Sequence, residues 1–187
     1  MTDLDALTLD DGEAVGVRVV GARHAGVVFE RARLVDVQLV RCDLSGCDFS
    51  ETVWQRVTLT DCRCSSIELA QSSLRDVTFE DCKLDDANLR LAKLHNVVFD
   101  ATVLTAADLA GAQLDTVRFP ESDLRAADVS NVRCAQVDLR DAQLDGLKGI
   151  ASLRGATIGI DQLFGLAPAI AHALGITVAS EGRDDDG

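Results

Sequence analysis

The chain has no tyrosine, one tryptophan, one methionine and only two prolines in 187 residues. So little proline and aromatic side chain argues against a sandwich or an enzyme built on long ordered loops. Positive charge is also short: 18 Lys and Arg stand against 31 acids, a formal net charge of −13. That balance excludes direct nucleic-acid binding, which needs a basic face to displace counterions. No apolar run reaches the roughly 18 residues of a membrane span. The first residues, MTDLDALTLDD, have neither the charged nor the apolar region of a signal peptide. A cytoplasmic location is therefore expected, with the six cysteines reduced.

A strict internal repeat is present instead. From Phe29 to Leu144, every fifth residue is apolar, 24 positions in all. At 47% apolar composition, such a run arises by chance on the order of once in a hundred million registers. Two residues before each of these centres lies a small or β-branched residue: Val37, Cys42, Cys47, Thr52, Val57 and so on to Ala142. The other three positions are mostly polar. A period of five fits neither a 3.6-residue helix nor plain alternation. It fits a short extended segment followed by a corner, because residues two apart on an extended stretch point the same way.

A longer period counts the sides. Valine recurs at 17, 37, 57, 77, 97, 117 and 137, and phenylalanine at 79, 99 and 119. Like residues 20 apart are stacked copies, so each coil has four sides and buries its edges on its neighbours. Residues 17–146 would make a shaft roughly 31 Å long at about 4.8 Å per coil.

Units such as Ala87-Asn88-Leu89-Arg90-Leu91, Ala107-Asp108-Leu109-Ala110-Gly111 and Ala127-Asp128-Val129-Ser130-Asn131 resemble the A(D/N)LXX unit of pentapeptide-repeat proteins. The resemblance implies an all-β solenoid, a right-handed quadrilateral β-helix. It covers about 27–146 strongly and extends toward Val17 or Leu7.

After Leu144 the pattern changes. Residues 161–175 read as a helix, a short C-terminal α-helical cap, with Asp161 as N-cap and Leu163, Leu166, Ala167, Ile170 and Leu174 on one face. Pro168 is expected to kink it or to start a second helix. The organisation is thus an N-terminal edge at 1–16, a β-helix at 17–146, a helical cap at 147–179 and a disordered tail at 180–187. The segment from Ala151 to Leu163 is similar to the region after the solenoid in mycobacterial quinolone-protection members. That likeness implies a homodimer joined tail to tail through Leu163, Leu166, Ile170 and Leu174. The residues themselves are also satisfied by a helix that only covers the last coil.

Catalytic and metal chemistry find little support. All six cysteines (42, 47, 62, 64, 82 and 134) fall on inward positions, where Cys acts as a small apolar filler. Cys62-Arg63-Cys64 has the wrong spacing for a zinc knuckle, and no His is near. His24 replaces an early centre, His95 should face solvent and His172 lies on the terminal helix. Trp54 is an oversized centre whose N–H needs a partner. No catalytic residue, metal or cofactor is expected.

The surface carries the functional signal. Asp48, Glu68, Asn88, Asp108 and Asp128 lie 20 apart and should stack into an acidic stripe. Another side is more basic, with Arg33, Arg56, Arg75, Lys93 and Arg133. The resemblance implies a protein partner, DNA gyrase, bound through an acidic rod that mimics DNA and so protects against quinolones. Unlike Qnr-type members, this chain has no inserted loops between coils. A 31 Å duplex would carry roughly 18 phosphates, whereas residues 17–146 hold 21 acids and 15 bases. Such a mimic is sparse. The alternative is a non-catalytic scaffold for an unrelated partner, using Val28, Val35, Val40, Val53, Leu91, Val98 and Val103.

Overall fold

A computed structural model describes residues 2–4, 6–9 and 12–179. The expected tail at 180–187 lies outside the described residues. Eleven strands form one parallel, coiled sheet: β1 (Thr2–Leu4), β2 (Glu13–Val15), β3 (Val17–Val20), β4 (Arg33–Val40), β5 (Val53–Thr60), β6 (Ser73–Glu80), β7 (Lys93–Asp100), β8 (Gln113–Arg118), β9 (Arg133–Ala135), β10 (Val137–Asp138) and β11 (Ala156–Thr157). One helix, α1 (Ile160–Ala173), follows. From β4 to β7 the register is 20 residues throughout, as in Val37↔Val57↔Val77↔Val97. Two sides of the coil form these strands. The other two meet their copies as single bridges, such as Asp43↔Arg63 and Asp108↔Asp128.

The corners explain the period of five. Each fifth residue from Gly16 to Gly146 has positive φ, and 21 of these corners are not glycine. Only the left-handed conformation turns the chain sharply enough there, which favours Gly, Asn and Asp. Corner N–H groups then bond to the next coil, as Asp61 does to Glu80 O at 3.0 Å.

The inward residues form one continuous core from Leu7 to Leu166. Phe79, Phe99 and Phe119 stack with ring centroids 4.9 and 5.1 Å apart, nearly parallel. Phe29 and Phe49 stack on the opposite side at 4.7 Å. Trp54 joins the two piles: it meets Phe49 edge-on at 5.1 Å and lies 6.2 Å from Phe79. It is fully buried and does not reach the edge, and its Nε1 has no hydrogen-bond partner among the described residues.

The cysteine positions do more than fill space. Cys42, Cys62 and Cys82 head a column continued by Thr102 and Ser122. Each directs its thiol or hydroxyl at a carbonyl 23 residues earlier: Val19, Leu39, Leu59, Phe79 and Phe99 respectively. Cys62 Sγ also accepts the Cys42 N–H at 3.4 Å, as Ser122 Oγ accepts that of Thr102 at 3.0 Å. Sulfur is a weak version of the same rung.

The regular period fails at both ends. β1 pairs β3 with an offset of 15, not 20, so the first coil lacks a side. β10 pairs β11 with an offset of 19. Between them a short 3-10 turn, Ile150–Ser152, leads toward α1. The helix departs from expectation in two respects. Its N-cap is Gly159, whose N–H is taken by Gln162 Oε1 at 2.6 Å, and Asp161 sits inside the first turn. It also runs through Pro168 as a single element, so no second helix starts there.

Candidate functional site

Asp48, Glu68, Asn88, Asp108 and Asp128 do stack, each bridged to the next, and Lys148 follows Asp128. Their carboxylates, however, are half-buried and occupied. Asp48, Asp108 and Asp128 each accept the N–H two residues ahead, on Ser50, Ala110 and Ser130, all at 2.8 Å. Asn88 Oδ1 accepts the Arg90 N–H at 3.1 Å, and its amide donates to Glu68 Oε2 at 2.6 Å. This is an Asx turn, which closes the approach to the corner. The Asp or Asn of the repeat unit is thus first a turn former. The Ser130 hydroxyl and N–H hold the Asp128 carboxyl below the usual carboxylate range. Arg90 donates to Asp108 Oδ2 at 2.9 Å and removes one of the stripe's charges.

The freer acids lie elsewhere. Asp61, Asp81, Glu121 and Asp141 occupy one corner column, with Glu80 and Asp100 on its shoulder. All but the half-buried Asp100 are exposed. None of the six makes an ion pair among the described residues. The signal was present in the sequence as acids at corner positions, but reading only the position before the centre missed it. Two of the five residues on the side expected to be basic are paired: Arg56 makes two bonds to Asp36, at 2.6 and 2.8 Å, and Arg33 lies 3.8 Å from Glu13, while Arg75, Lys93 and Arg133 make no ion pair among the described residues.

The apolar candidates divide. Val28, Val53 and Leu91 are exposed, Val40, Val98 and Val103 are half-buried, and Val35 is buried against the coil, so it offers no contact surface. In the cap, Leu166 is buried and Ile170 packs on the core, whereas Leu163 and Leu174 are exposed. Phe164, 72% exposed, and Ile160 extend that outer face and were not singled out by the sequence. Between α1 and the 3-10 turn lies an open apolar groove of about 310 Å³, lined in part by Ile150, Leu153, Ile158, Leu166 and Ile170.

Gln162 is the other residue that sequence reading missed. Its Nε2 donates to the carbonyls of Leu139 and Ala142, both at 2.6 Å. Leu139 lies 23 residues before it, so an amide continues the column of Ser122 and caps the open edge of the last coil.

The remaining titratable groups hold structure. His24 Nε2 accepts the Leu7 N–H at 2.8 Å, and His95 Nδ1 lies 2.7 Å from Asp115 Oδ2. The hydrogen bond to Cys62, and burial, push the Cys42 thiol up; burial, with a smaller push from nearby Asp43, raises Cys47 and Cys64, to which neighbouring cysteines add for Cys64, and burial alone raises Cys134. The bond from Cys42 works the other way on Cys62, but its bond to Cys82 and burial prevail and push it up to about 12. No group of three His, Cys, Asp or Glu side chains among the described residues is placed to hold a metal ion.

A four-sided parallel solenoid with charge sorted along its corners and a single terminal helix defines the class of protein. The family model for the pentapeptide repeat region matches residues 22–89 and 72–148, and the chain belongs to that family. No protein of curated function matches it in sequence. Among solved structures it is similar to full-length QnrB1, a plasmid-mediated fluoroquinolone resistance protein, at 20% identity and TM-score 0.46, over 87% of this chain and 92% of that one. A trypsin-treated form of QnrB1 gives 18% identity and TM-score 0.46 over 89% and 91%. HetL, a pentapeptide repeat protein involved in heterocyst differentiation regulation from the cyanobacterium Nostoc sp., gives 15% and 0.32 over 78% and 89%.

Proposed function

We propose that the protein works by binding, without catalysis, as an acidic rod that enters a basic groove shaped for duplex DNA. The partner named by this reading is DNA gyrase, and the outcome is modulation of the enzyme and protection from quinolone-type inhibitors. The setting is the cytoplasm. The observation that carries it is the corner ridge of Asp61, Glu80, Asp81, Asp100, Glu121 and Asp141, exposed or half-exposed acids repeating at the coil spacing with no ion pair among the described residues. The originally expected stripe contributes less, because its carboxylates close turns. Supercoiling by gyrase, with and without a fluoroquinolone, tests it at two salt concentrations. Inhibition or protection that weakens with salt and disappears on neutralising the ridge supports the reading. No effect at tens of micromolar protein sinks it.

A second element of the reading is a homodimer through α1. Ile160, Leu163, Phe164 and Leu174 expose apolar surface beside an unfilled groove, which favours a second copy over bulk water. Light scattering should give twice the chain mass, and Phe164→Glu should give the monomer. A wild-type monomer at 50 μM would remove this element and leave the ridge reading intact.

A further inference from the structure

We propose that His24 is a pH-operated latch that holds the N-terminal segment, residues 2–4 and 6–9, over the first full coil. The segment is attached lightly. β1 covers the edge of β3 through three residue pairs, and its offset of 15 leaves one side of the coil without a strand. Leu7 is buried, and Leu9 packs against the core. Among the described residues, the polar tie between Ala6–Leu9 and the rest of the shaft is the Leu7 N–H donated to His24 Nε2 at 2.8 Å.

That bond fixes the tautomer. Nε2 accepts, so the proton sits on Nδ1 and the ring is neutral. The ring stands edge-on to Phe29 with centroids 5.8 Å apart. A proton added at Nε2 turns the acceptor into a donor facing another donor. It also places a cation against Leu7 and Phe29 in a half-buried site. Both effects favour release of the segment.

Few other groups compete for control. Ala6–Leu9 contains no titratable side chain, and the carboxyl groups of the N-terminal segment are those of Asp3 and Asp5. On the shaft, Cys47 donates its thiol to the His24 carbonyl at 2.9 Å, and burial keeps that thiol protonated. Asp43, on the coil beneath, is committed to the Ser45 hydroxyl at 2.7 Å and its N–H at 3.1 Å. Arg23 precedes the ring. Burial holds the His24 imidazole below its ordinary 6.5.

The sign follows by linkage. A base with a depressed docked pKa resists protonation while docked. Docking is therefore fully favoured above pH 6.5 and weakens as pH falls below it, by up to tenfold per unit, until the docked pKa is passed. Release uncovers the outer edge of β3, and an unpaired edge is a template for another strand.

Hydrogen exchange of the full chain tests this at pH 7.5 and 5.5, after correction for intrinsic rates. Protection at Leu7 and β1 should drop about tenfold in acid in the wild type. His24→Gln, which keeps an acceptor and cannot titrate, should hold its protection constant. His24→Leu should lack it at both values. A His24 ring titration followed by NMR on the wild type adds a readout free of mutation, because the Leu7 amide shift must share its midpoint. Equal loss in wild type and His24→Gln, or a His24 titration that leaves Leu7 unmoved, overturns the latch.

Discussion

Thr116 sits at φ 57°. A branched Cβ in the left-handed region crowds the backbone more than any other corner residue of this chain. Its hydroxyl bonds, to Asp115 at 3.1 Å and Gln136 at 3.4 Å, are exposed and long, so they return little. Thr116→Asn should stabilise by about 0.5–1 kcal/mol, raising Tm by roughly 2–4 °C. An unchanged or lower Tm would show that the hydroxyl bonds outweigh the strain. Trp54 offers a different test. With no tyrosine present, it reports alone, and full burial should give blue-shifted emission that acrylamide barely quenches. Its unpaired N–H costs roughly 1–3 kcal/mol. Replacing it with Phe removes that cost while losing some packing, so the net change should be small beside the roughly 3–5 kcal/mol of Trp54→Ala. A Phe variant as unstable as the Ala one would mean that the indole N–H contributes favourably. The size of Trp54 was visible in the sequence. That it would bridge two aromatic piles was not, because the piles lie on different sides of the coil.

At the scale of the element, the corner joins the legible to the illegible. The five-residue step was readable because the centres are uniformly apolar and the corners accept the left-handed conformation. The second role of the Asp just before each centre was hidden, because a turn-forming carboxylate and a partner-binding one look alike in a row of letters. Asp128→Asn keeps the acceptor for Ser130 N–H and should change stability by only a few tenths of a kcal/mol, whereas Asp128→Ala should lose about 1 kcal/mol. Equal Tm values for the two would discard the turn role. The same logic sets an acid limit. Asp43, Asp123, Asp128 and Asp138 are held below the usual carboxylate range by Ser45, Arg125, Ser130 and Arg140 respectively. Their contribution is present above about pH 4 and fades as pH falls through their folded values, well below the window of His24. At the C-terminal junction, Gly149 has φ 76°, and a Cβ there would lie 2.4 Å from the backbone of Ser130. Gly149→Ala should cost roughly 3 kcal/mol or more, against about 1 for Gly26→Ala, where φ is 73° but the space is open. Similar losses in urea melts of the two would mean that the coil shifts to admit the methyl group.

For the whole molecule, charge placement rather than total charge decides what the rod can do. Residues 17–146 carry 21 acids and 15 bases, too even a mixture for a uniform imitation of roughly 18 phosphates. Six of those bases lie in ion pairs among the described residues and the stripe acids are occupied by turns, which leaves the ridge, interrupted by Arg41 and Ala101, as the concentrated negative edge. Exposed charges act mainly on encounter and are screened beyond about 10 Å at 0.1 M salt. Under the proposed function, the combined change of Asp61, Asp81 and Asp141 to Asn and Glu121 to Gln should therefore slow association with gyrase by about tenfold or more at 50 mM salt, and by little at 500 mM. Asn suits these left-handed corners as well as Asp does, so Tm should stay within a few degrees and folding will not confound the result. Changing Asp48, Asp108 and Asp128 to Asn, which keeps the turns, should alter association less than the ridge set. A larger effect from the stripe would reverse the assignment, because the half-buried carboxylates would then be the surface that the partner reads.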